Sequence, residues 1–327
     1  MSAQRAAFLP DGVEELLPDA AWMAEDLRRR LLDHYRERGY GLILPPLVEH
    51  LDSLLVGAGE DLEEQTFRFV DPASGRMLGV RADMTPQAAR IAATRFPADQ
   101  AVRLCYLGSV LRTHPDTPGG ARAPRQVGCE LFGDASLEGD MEVLDLMIGT
   151  LSLAGVREPL VDLGHIGIYS HLLADCALKP ADEHVLFDIL QRKCVPELGE
   201  WLRATGLPAA TRDALTELIE LHGPPEQVLP AAREALPDSE PVKAALLALE
   251  TVSERLQANP AIAGLHIDLS ELRGYRYQTG LSYAAFGSGS ARELARGGRY
   301  DGIGDIYGAP RPATGFSADL NELLALG

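Results

Sequence analysis

The sequence predicts an α+β fold in which an antiparallel sheet is flanked by helices and carries a helical insertion. Residues 104–111 and 126–132 alternate apolar and polar side chains as strands do, and the stretch between them is rich in Pro and Gly. Residues 19–38 repeat apolar side chains every four positions, as an amphipathic helix does. Residues 169–259 are rich in Ala, Leu and Glu and are interrupted by prolines, which favours several short helices.

The first predicted helix should bury a single stripe of side chains, formed by Met23, Leu27, Leu31 and Tyr35. A hairpin is expected next, with strands at 67–70 and 78–81 around a turn at 71–75. The following helix should start at Thr85, because the adjacent Pro fits a first helical turn and the Thr can cap it.

The remaining elements complete the predicted sheet around the insertion. A helix is expected at 138–154, and strands are expected at 158–165 and 265–269. The predicted domains are a core formed by residues 1–168 and 260–327, and a helical insertion subdomain formed by residues 169–259. The insertion contains no motif to which we can assign chemistry.

The composition indicates a globular protein that is neither membrane-spanning nor secreted. The chain has 327 residues, of which 46% are hydrophobic, and no run approaches the roughly 18 apolar residues of a membrane span. The first residues lack the apolar segment of a signal peptide. The four cysteines show no CxxC spacing, and the histidines show no metal-ligand spacing. We therefore expect a cytoplasmic protein without a metal site or other cofactor.

The charge balance predicts that nucleic acid is not a partner. The chain has 48 acidic and 30 basic residues, for a net charge of −18. Proteins that bind nucleic acid through its phosphates usually present a basic face. Arginines near the motifs described below could form a local basic patch, or they could serve an anionic small ligand.

The loop between the two strands of the central hairpin is long, and long loops on a sheet are often functional. Arg112 lies where the first strand should end, and Gln126 and Glu130 recur at even spacing on the second strand. All three side chains could therefore point to one face of the sheet. The alternative is a polar sheet edge with solvated charges.

The order of these residues resembles motif 2 of class II aminoacyl-tRNA synthetases. The ending Gln-x-Gly-x-Glu-x-Phe-Gly, residues 126–133, resembles the histidine-specific branch of that family. The resemblance implies a class II synthetase-like sheet. It also implies that Arg112 holds the carboxylate and phosphate of the aminoacyl group, and that Gln126 and Glu130 contact the amino acid.

Other segments resemble the same family in the same order. Residues 39–49 are similar to motif 1, which makes the family's dimer interface, although they also fit an ordinary helix-to-strand turn. Residues 81–87 resemble the segment whose acidic residue receives the substrate ammonium group. Residues 271–280 resemble a signature restricted to histidyl-tRNA synthetases and their relatives, although an Arg and a Tyr there could also form a structural pair.

The resemblance implies a histidine pocket, because a zwitterionic amino acid needs partners for its ammonium and carboxylate groups. We call the matching residues the amino-acid pocket: Asp83, Thr85, Arg112, Gln126, Glu130, Arg273 and Tyr277.

The positions that bind the nucleotide in the family carry different residues in this chain. His114 and Pro124 replace the Glu and Phe that recognise adenine in the family, and Glu322 replaces the motif 3 Arg that holds the γ-phosphate. A carboxylate in that place repels a triphosphate. The sequence after motif 3 also leaves no room for the family's anticodon-binding domain, so we expect that domain to be absent.

Together these features resemble the regulatory-subunit family of short-form ATP phosphoribosyltransferase. The resemblance implies a non-catalytic protein in the first step of histidine biosynthesis, dimeric through motif 1. Its implied partner is the short catalytic subunit, which transfers phosphoribose to ATP, and its implied ligand is histidine, the feedback inhibitor.

Two other functions fit the same residues. One is a tRNA-independent ligase that forms histidyl adenylate, in which Arg296 or Arg299 would replace the missing cation. The other is a synthetase-like sensor or adaptor for an unrelated partner.

Overall fold

The computed structural model describes residues 9–56, 60–115, 120–272, 274, 277–287, 293–308 and 310–326. The elements before the insertion are α1 (Pro18–Glu37), β1 (Gly41–Leu42), β2 (Val48–His50), α2 (Leu51–Leu54), α3 (Glu60–Gln65), β3 (Arg68–Val70), β4 (Met77–Val80), α4 (Thr85–Arg95), β5 (Val102–Ser109), β6 (Arg125–Phe132), α5 (Leu137–Leu153) and β7 (Leu160–His165).

The predicted insertion folds as a set of short helices with one short strand. Its elements are α6 (Ile166–Leu173), α7 (Pro180–Gln191), α8 (Val195–Ala204), α9 (Ala209–Leu218), β8 (His222–Gly223), α10 (Pro225–Ala235) and α11 (Glu240–Gln257). The chain then returns through β9 (Gly264–Asp268), β10 (Leu281–Phe286), β11 (Glu293–Arg299), the 3-10 helix η1 (Asp301–Tyr307), β12 (Ala313–Asp319) and α12 (Leu320–Leu326).

A large, mainly antiparallel sheet organises these elements. Its strand order within the described residues is β1-β5-β6-β12-β11-β10-β7-β9-β8. The pairs β1 with β5 and β7 with β9 are parallel, and the other pairs are antiparallel. A smaller sheet has the order β2-β4-β3. The predicted α+β class and the predicted central hairpin are therefore confirmed.

The two faces of the large sheet have different coverings. On β6, the side chains of Val127, Cys129 and Leu131 are buried in the main hydrophobic core with residues of α1 and α5. The alternate residues, which include Glu130, face the other side because strand side chains alternate. There a smaller apolar cluster joins α4 to Tyr106 on β5 and Tyr300 before η1.

The insertion shares the main core with the sheet. Buried side chains of α7, α8, α9, α10 and α11 belong to the same continuous cluster as those of β6 and β7. The strand β8 also extends the large sheet by pairing with β9. The division of the chain into a core and an insertion subdomain stays a prediction.

The buried stripe of α1 differs in one position from the prediction. Leu27, Leu31 and Tyr35 are buried, but Met23 is 57% exposed and Ala24 takes the inward place. A helix turns 3.6 residues per turn, so a strict spacing of four drifts off the buried face. The stripe therefore follows mixed spacings of three and four.

Candidate functional site

Glu130 lies at the centre of the candidate site. It is 1% exposed. One carboxylate oxygen accepts hydrogen bonds from the hydroxyl of Tyr106 at 2.8 Å and from Thr85 Oγ1 at 3.0 Å. The other oxygen accepts a hydrogen bond from the hydroxyl of Tyr300. The site therefore joins β6 to β5, to the start of α4 and to the segment after β11.

The neighbouring strand leaves room for this carboxylate. Gly315 on β12 pairs with Glu130 in register. A methyl group at Gly315 would overlap the Glu130 carboxylate. Only glycine at this position therefore allows a glutamate side chain to lie flat across β12.

Burial raises the pKa of Glu130 to about 8, although hydrogen bonds from Tyr300, Tyr106 and Thr85 favour the charged form. The nearby charge of Asp83 raises this pKa further. At neutral pH the carboxyl group of the ligand-free chain is therefore mostly protonated. A cationic group that enters the site would favour its ionisation.

Asp83 and Thr85 form the turn that starts α4. Asp83 Oδ1 accepts a hydrogen bond from the Thr85 backbone N–H at 2.6 Å. The expected capping role of Thr85 is wrong, because Thr85 is the first helical residue and its hydroxyl bonds to Glu130 instead. The Asp83 side chain satisfies an N-terminal donor in its place.

Gln126 is buried and supports this turn. Its side-chain oxygen accepts a hydrogen bond from the Met84 backbone N–H at 2.8 Å, and the residue is 3% exposed. This bond holds the turn between Asp83 and Thr85 against β6. Gln126 therefore supports the pocket through the position of its neighbours.

Arg112 lies at the other end of the site. Its Nε donates to the carbonyl oxygen of Ala82 at 3.2 Å. Burial raises the pKa of Asp319 to about 6; the charge of Glu322 also raises it, and the charge of Arg112 opposes the shift. Arg112 is therefore close enough to Asp319 at the end of β12 to influence its charge.

Tyr277 approaches the site from the segment before β10. Its ring makes an edge-to-face contact with Tyr300, with ring centroids 6.5 Å apart, and the residue is 43% exposed. Arg273, the remaining predicted residue, lies outside the described residues. The structure thus brings Asp83, Thr85, Glu130 and Tyr277 around one centre.

The hydroxyl groups of Tyr106 and Tyr300 were not among the predicted site residues. Both side chains are buried and both donate to Glu130. A buried tyrosine hydroxyl needs a hydrogen-bond partner. Tyr106 on β5 and Glu130 on β6 lie on the same face of the hairpin. That pattern could have identified Tyr106, whereas Tyr300 follows a strand whose register the sequence does not define.

Two arginines near the region that would hold a nucleotide form hydrogen bonds with other side chains of the protein. Arg299 donates through Nε to Asp140 Oδ2 at 3.0 Å and through Nη1 to Asp301 Oδ1 at 3.1 Å. Asp140 belongs to α5, so Arg299 points to the sheet face opposite Glu130. Arg125 donates to Asn321 Oδ1 at 3.2 Å. Arg299 is therefore not placed to substitute for the missing motif 3 cation.

An open cavity lies beside Tyr277 over β7, β10 and β11. Its empty volume, which includes space open to the solvent, is about 510 Å³. Gly164, Ser282 and Ala284 line it from the strands, and Glu271, Tyr277 and Gln278 are among the residues that line it from the segment before β10. The amino-acid pocket and this cavity share Tyr277.

The described residues contain neither a cluster suited to a metal ion nor a membrane-spanning helix. No cluster of three or more His, Cys, Asp or Glu side chains within these ranges could hold a metal ion. None of the helices described has the length and apolar character needed to cross a bilayer.

The fold and site define a protein related to class II synthetases. A family model described as Histidyl-tRNA synthetase matches residues 12–323. A solved structure described as an ATP phosphoribosyltransferase regulatory subunit/histidyl-tRNA synthetase from Bacillus halodurans superposes with a TM-score of 0.84 at 28% identity, covering 100% of this chain and 84% of that chain.

Curated relatives give a narrower assignment. The ATP phosphoribosyltransferase regulatory subunit of Thioalkalivibrio sulfidiphilus is 49% identical over 320 residues, which cover 98% of this chain and 81% of the relative. The chain belongs to the family of ATP phosphoribosyltransferase regulatory subunits. The family expected from the sequence motifs is therefore confirmed.

A third comparison concerns the fold alone. The structure described as the ATP phosphoribosyl transferase (HisG:HisZ) complex from Thermotoga maritima matches with a TM-score of 0.67 at 20% identity. The match covers 90% of this chain and 96% of that chain.

Proposed function

We propose that this chain is a non-catalytic subunit that assembles with the short catalytic subunit of ATP phosphoribosyltransferase, activates it and mediates feedback by histidine. This role would place the chain at the first step of histidine biosynthesis. Family membership supports the role. The observation that carries this proposal is a pocket suited to an amino acid. Next to it, the region that would hold a nucleotide contains the acidic residues Asp319 and Glu322.

The pocket chemistry supports histidine as the ligand. Asp83 and the ionised form of Glu130 can accept hydrogen bonds from ammonium or imidazole N–H groups. Arg112 can pair with a carboxylate. The hydroxyls that surround Glu130 fix its orientation before a ligand arrives, which reduces the ordering required on binding.

The opposite side of the site argues against ATP chemistry. The charge of Glu322 is close enough to raise the pKa of Asp319. Arg299 is bonded to Asp140, and Arg296 lies 3.6 Å from Glu293. A triphosphate here would meet carboxylates, so the partner subunit would supply the chemistry.

The proposed partner is supported by a solved neighbour. The Thermotoga maritima structure is, by its description, a HisG:HisZ complex of ATP phosphoribosyl transferase, and a chain in it shares this fold. By analogy, the present chain would form a hetero-oligomer with the short catalytic subunit.

A homodimer through motif 1 is part of the proposal. Leu42, Leu44 and Leu47 in this segment are 47%, 74% and 49% exposed. Adjacent exposed leucines of this kind often mark protein interfaces. The four cysteines are free thiols, which supports a location in the reducing cytoplasm.

Reconstitution tests the proposal directly. The chain would be mixed with a short-form catalytic subunit, and transfer of phosphoribose from PRPP to N1 of ATP would be followed with and without histidine. We expect activity that depends on this chain and falls with histidine. Failure to stimulate the catalytic subunit would rule out the proposed role.

The competing ligase function has its own assay. A histidine-activating enzyme would exchange labelled pyrophosphate into ATP in the presence of histidine. We expect no such exchange with the purified chain, because a triphosphate would lie beside Asp319 and Glu322. Exchange at a synthetase-like rate would replace the regulatory proposal with the ligase.

A further inference from the structure

Lys193 lies in the tight connection between α7 and α8 of the insertion. Its φ is +50°, a left-handed backbone conformation that residues other than glycine adopt infrequently. The backbone N–H of Lys193 donates to the Leu190 carbonyl oxygen at 3.0 Å. This turn directs the lysine side chain away from the insertion and toward the end of β9.

The Lys193 ammonium group completes a closed network at that strand end. Nζ donates to Asp268 at 2.9 Å and to Ser270 Oγ at 2.7 Å. Asp268 Oδ1 also accepts hydrogen bonds from the Ser270 backbone N–H at 3.0 Å and from Ser270 Oγ at 2.8 Å. Asp268 and Ser270 are 8% and 1% exposed, whereas the Lys193 side chain is 36% exposed. The acceptors are therefore buried, and water screens the bonds from the lysine side only.

The insertion holds the backbone of the same segment. Gln191 Nε2 donates to the Ser270 carbonyl oxygen at 3.1 Å. The Leu269 backbone N–H donates to the Leu221 carbonyl oxygen at 3.1 Å, beside the pairing of β8 with β9. We call Gln191, Lys193, Asp268 and Ser270 the insertion clamp.

One clamp residue and four described residues that follow the clamp along the chain form one wall of the open cavity. Asp268, Glu271, Gly274, Tyr277 and Gln278 all line it. Glu271 directly follows the clamp residue Ser270 along the chain, so the position at which the clamp holds Ser270 bears on the start of this wall. The far end carries Tyr277, which contacts Tyr300, and Tyr300 donates to Glu130.

We infer that Lys193 is a positioning residue, through which the insertion sets the place of the cavity wall that carries Tyr277. The insertion thereby acquires a role in ligand binding without contacting the ligand. The inference rests on the proposed function only in taking histidine as the ligand, because the clamp and the wall are features of the chain itself.

The test compares Lys193→Met with Lys243→Met in the full-length chain. Lys243 is a matched control, since it also lies in the insertion and pairs with acids, but its side chain is 52% exposed and its partners Asp238 and Glu240 lie in the insertion too. Amide hydrogen exchange would be measured at residues 269–272 and 277–278, and histidine affinity by calorimetry.

We expect Lys193→Met to speed exchange at these amides and to raise the Kd for histidine roughly tenfold, as loss of a charge-assisted bond to buried acceptors implies. Lys243→Met should change neither. Ser270→Ala, which alters the clamp from the sheet side, should act in the same direction as Lys193→Met. Lys193→Arg should recover part of the affinity because it keeps the cation.

Two results would overturn the inference. One is unchanged exchange at 269–272 and 277–278 in Lys193→Met. The other is faster exchange throughout α7 to α11, which would make Lys193 an ordinary stabilising residue of the insertion. If the unaltered chain binds no histidine, the proposed ligand is wrong, while the exchange data still decide whether the clamp positions the wall.

Discussion

Glu130 combines three properties at the scale of a single residue: complete burial, a raised pKa, and hydrogen bonds from hydroxyl groups on three different segments. Burial of a carboxylate is unfavourable unless it is paired or protonated. The three donors orient the group but carry no charge. A ligand with a positive charge would supply what the protein lacks at this position.

The raised pKa of Glu130 makes the stability of the ligand-free chain depend on pH. The pKa of Glu130 is about 8 in the folded chain, whereas an ordinary glutamate has a pKa of 4.5. The folded chain therefore holds this proton more tightly, so the stabilisation is complete below the ordinary pKa and is lost as the pH rises toward 8. In the unaltered chain we expect the free energy of unfolding to fall by up to about 1.4 kcal/mol per pH unit between pH 5 and 8 because of this group. Glu130→Gln should remove that fall.

Urea unfolding across this pH range would measure the effect. Glu138→Gln is the control, because the Glu138 side chain is 77% exposed and its loss should leave the pH dependence unchanged. Parallel curves for Glu130→Gln and the unaltered chain would contradict the assigned protonation of Glu130.

Ligand binding should release a proton from the same group. A histidine cation beside Glu130 would favour the ionised carboxylate, so binding at pH 7 should release up to about one proton. Calorimetry in buffers with different ionisation enthalpies would count it. Glu130→Gln should abolish the release and weaken binding roughly tenfold; an equal proton count in both proteins would exclude Glu130 as the source.

Sequence patterns identified part of this site. The even spacing of Gln126 and Glu130 on one strand predicted a shared face, and the register of β6 agrees with it. The pattern could not distinguish a ligand contact from a supporting residue, because the Gln126 side chain bonds to the distant Met84 backbone. Such a bond depends on how α4 packs on the sheet, which local spacing does not define.

At the scale of the elements, the pairing of β6 with β12 determines whether Glu130 can lie in the site. We expect Gly315→Ala to lower the free energy of unfolding by about 1–3 kcal/mol, as overpacking in a filled interior does. Histidine binding should be lost with it, because the new methyl group would displace the Glu130 carboxylate. Chemical denaturation and calorimetry would measure the two effects.

The matched control is Gly199→Ala in α8, where an added Cβ meets no atom within 4 Å. Alanine should be neutral or stabilising there by up to about 1 kcal/mol, because it favours helix more than glycine does. Equal stability of the two variants would show that β12 can move away from β6.

The start of α4 shows where local rules fail. Thr and Pro in succession predicted the correct first helical residue, Thr85. The same rules assigned the Thr85 hydroxyl to a cap, although it bonds to Glu130 across the site. The Thr85 hydroxyl thus donates to an acceptor distant in sequence and does not accept from a backbone N–H of its own helix. Asp83, two residues earlier, accepts from such an N–H in its place.

At the scale of the whole molecule, the proposed homodimer predicts a different response at two exposed leucines. Leu44 in the motif 1 segment is 74% exposed, and Leu247 on α11 is 61% exposed. We expect Leu44→Glu to dissociate a dimer, because a carboxylate would be buried without a partner in the interface. Sedimentation velocity would report the change of mass.

Leu247→Glu should leave the mass unchanged, since α11 lies in the insertion, away from motif 1. A monomeric unaltered chain would contradict the dimer. A dimer that survives Leu44→Glu would place the interface elsewhere.

The overall architecture was predictable because its central segments carry strong periodicity and follow a recognisable order. The helix predicted at 138–154 corresponds to α5, and the strands predicted at 158–165 and 265–269 correspond to β7 and β9. The return of β8 from the insertion to the sheet was not predicted. Its two residues, His222 and Gly223, are too few to show any alternation.

The outermost strands of the large sheet are both very short. Within the described part of the chain, β1 at one end and β8 at the other comprise 2 residues each. A foreign strand would find few free backbone donors and acceptors at either margin, so stacking of molecules edge to edge into fibrils is disfavoured. Any association between copies of this chain would therefore depend on side chains more than on strand pairing, which would let an assembly remain discrete at high concentration.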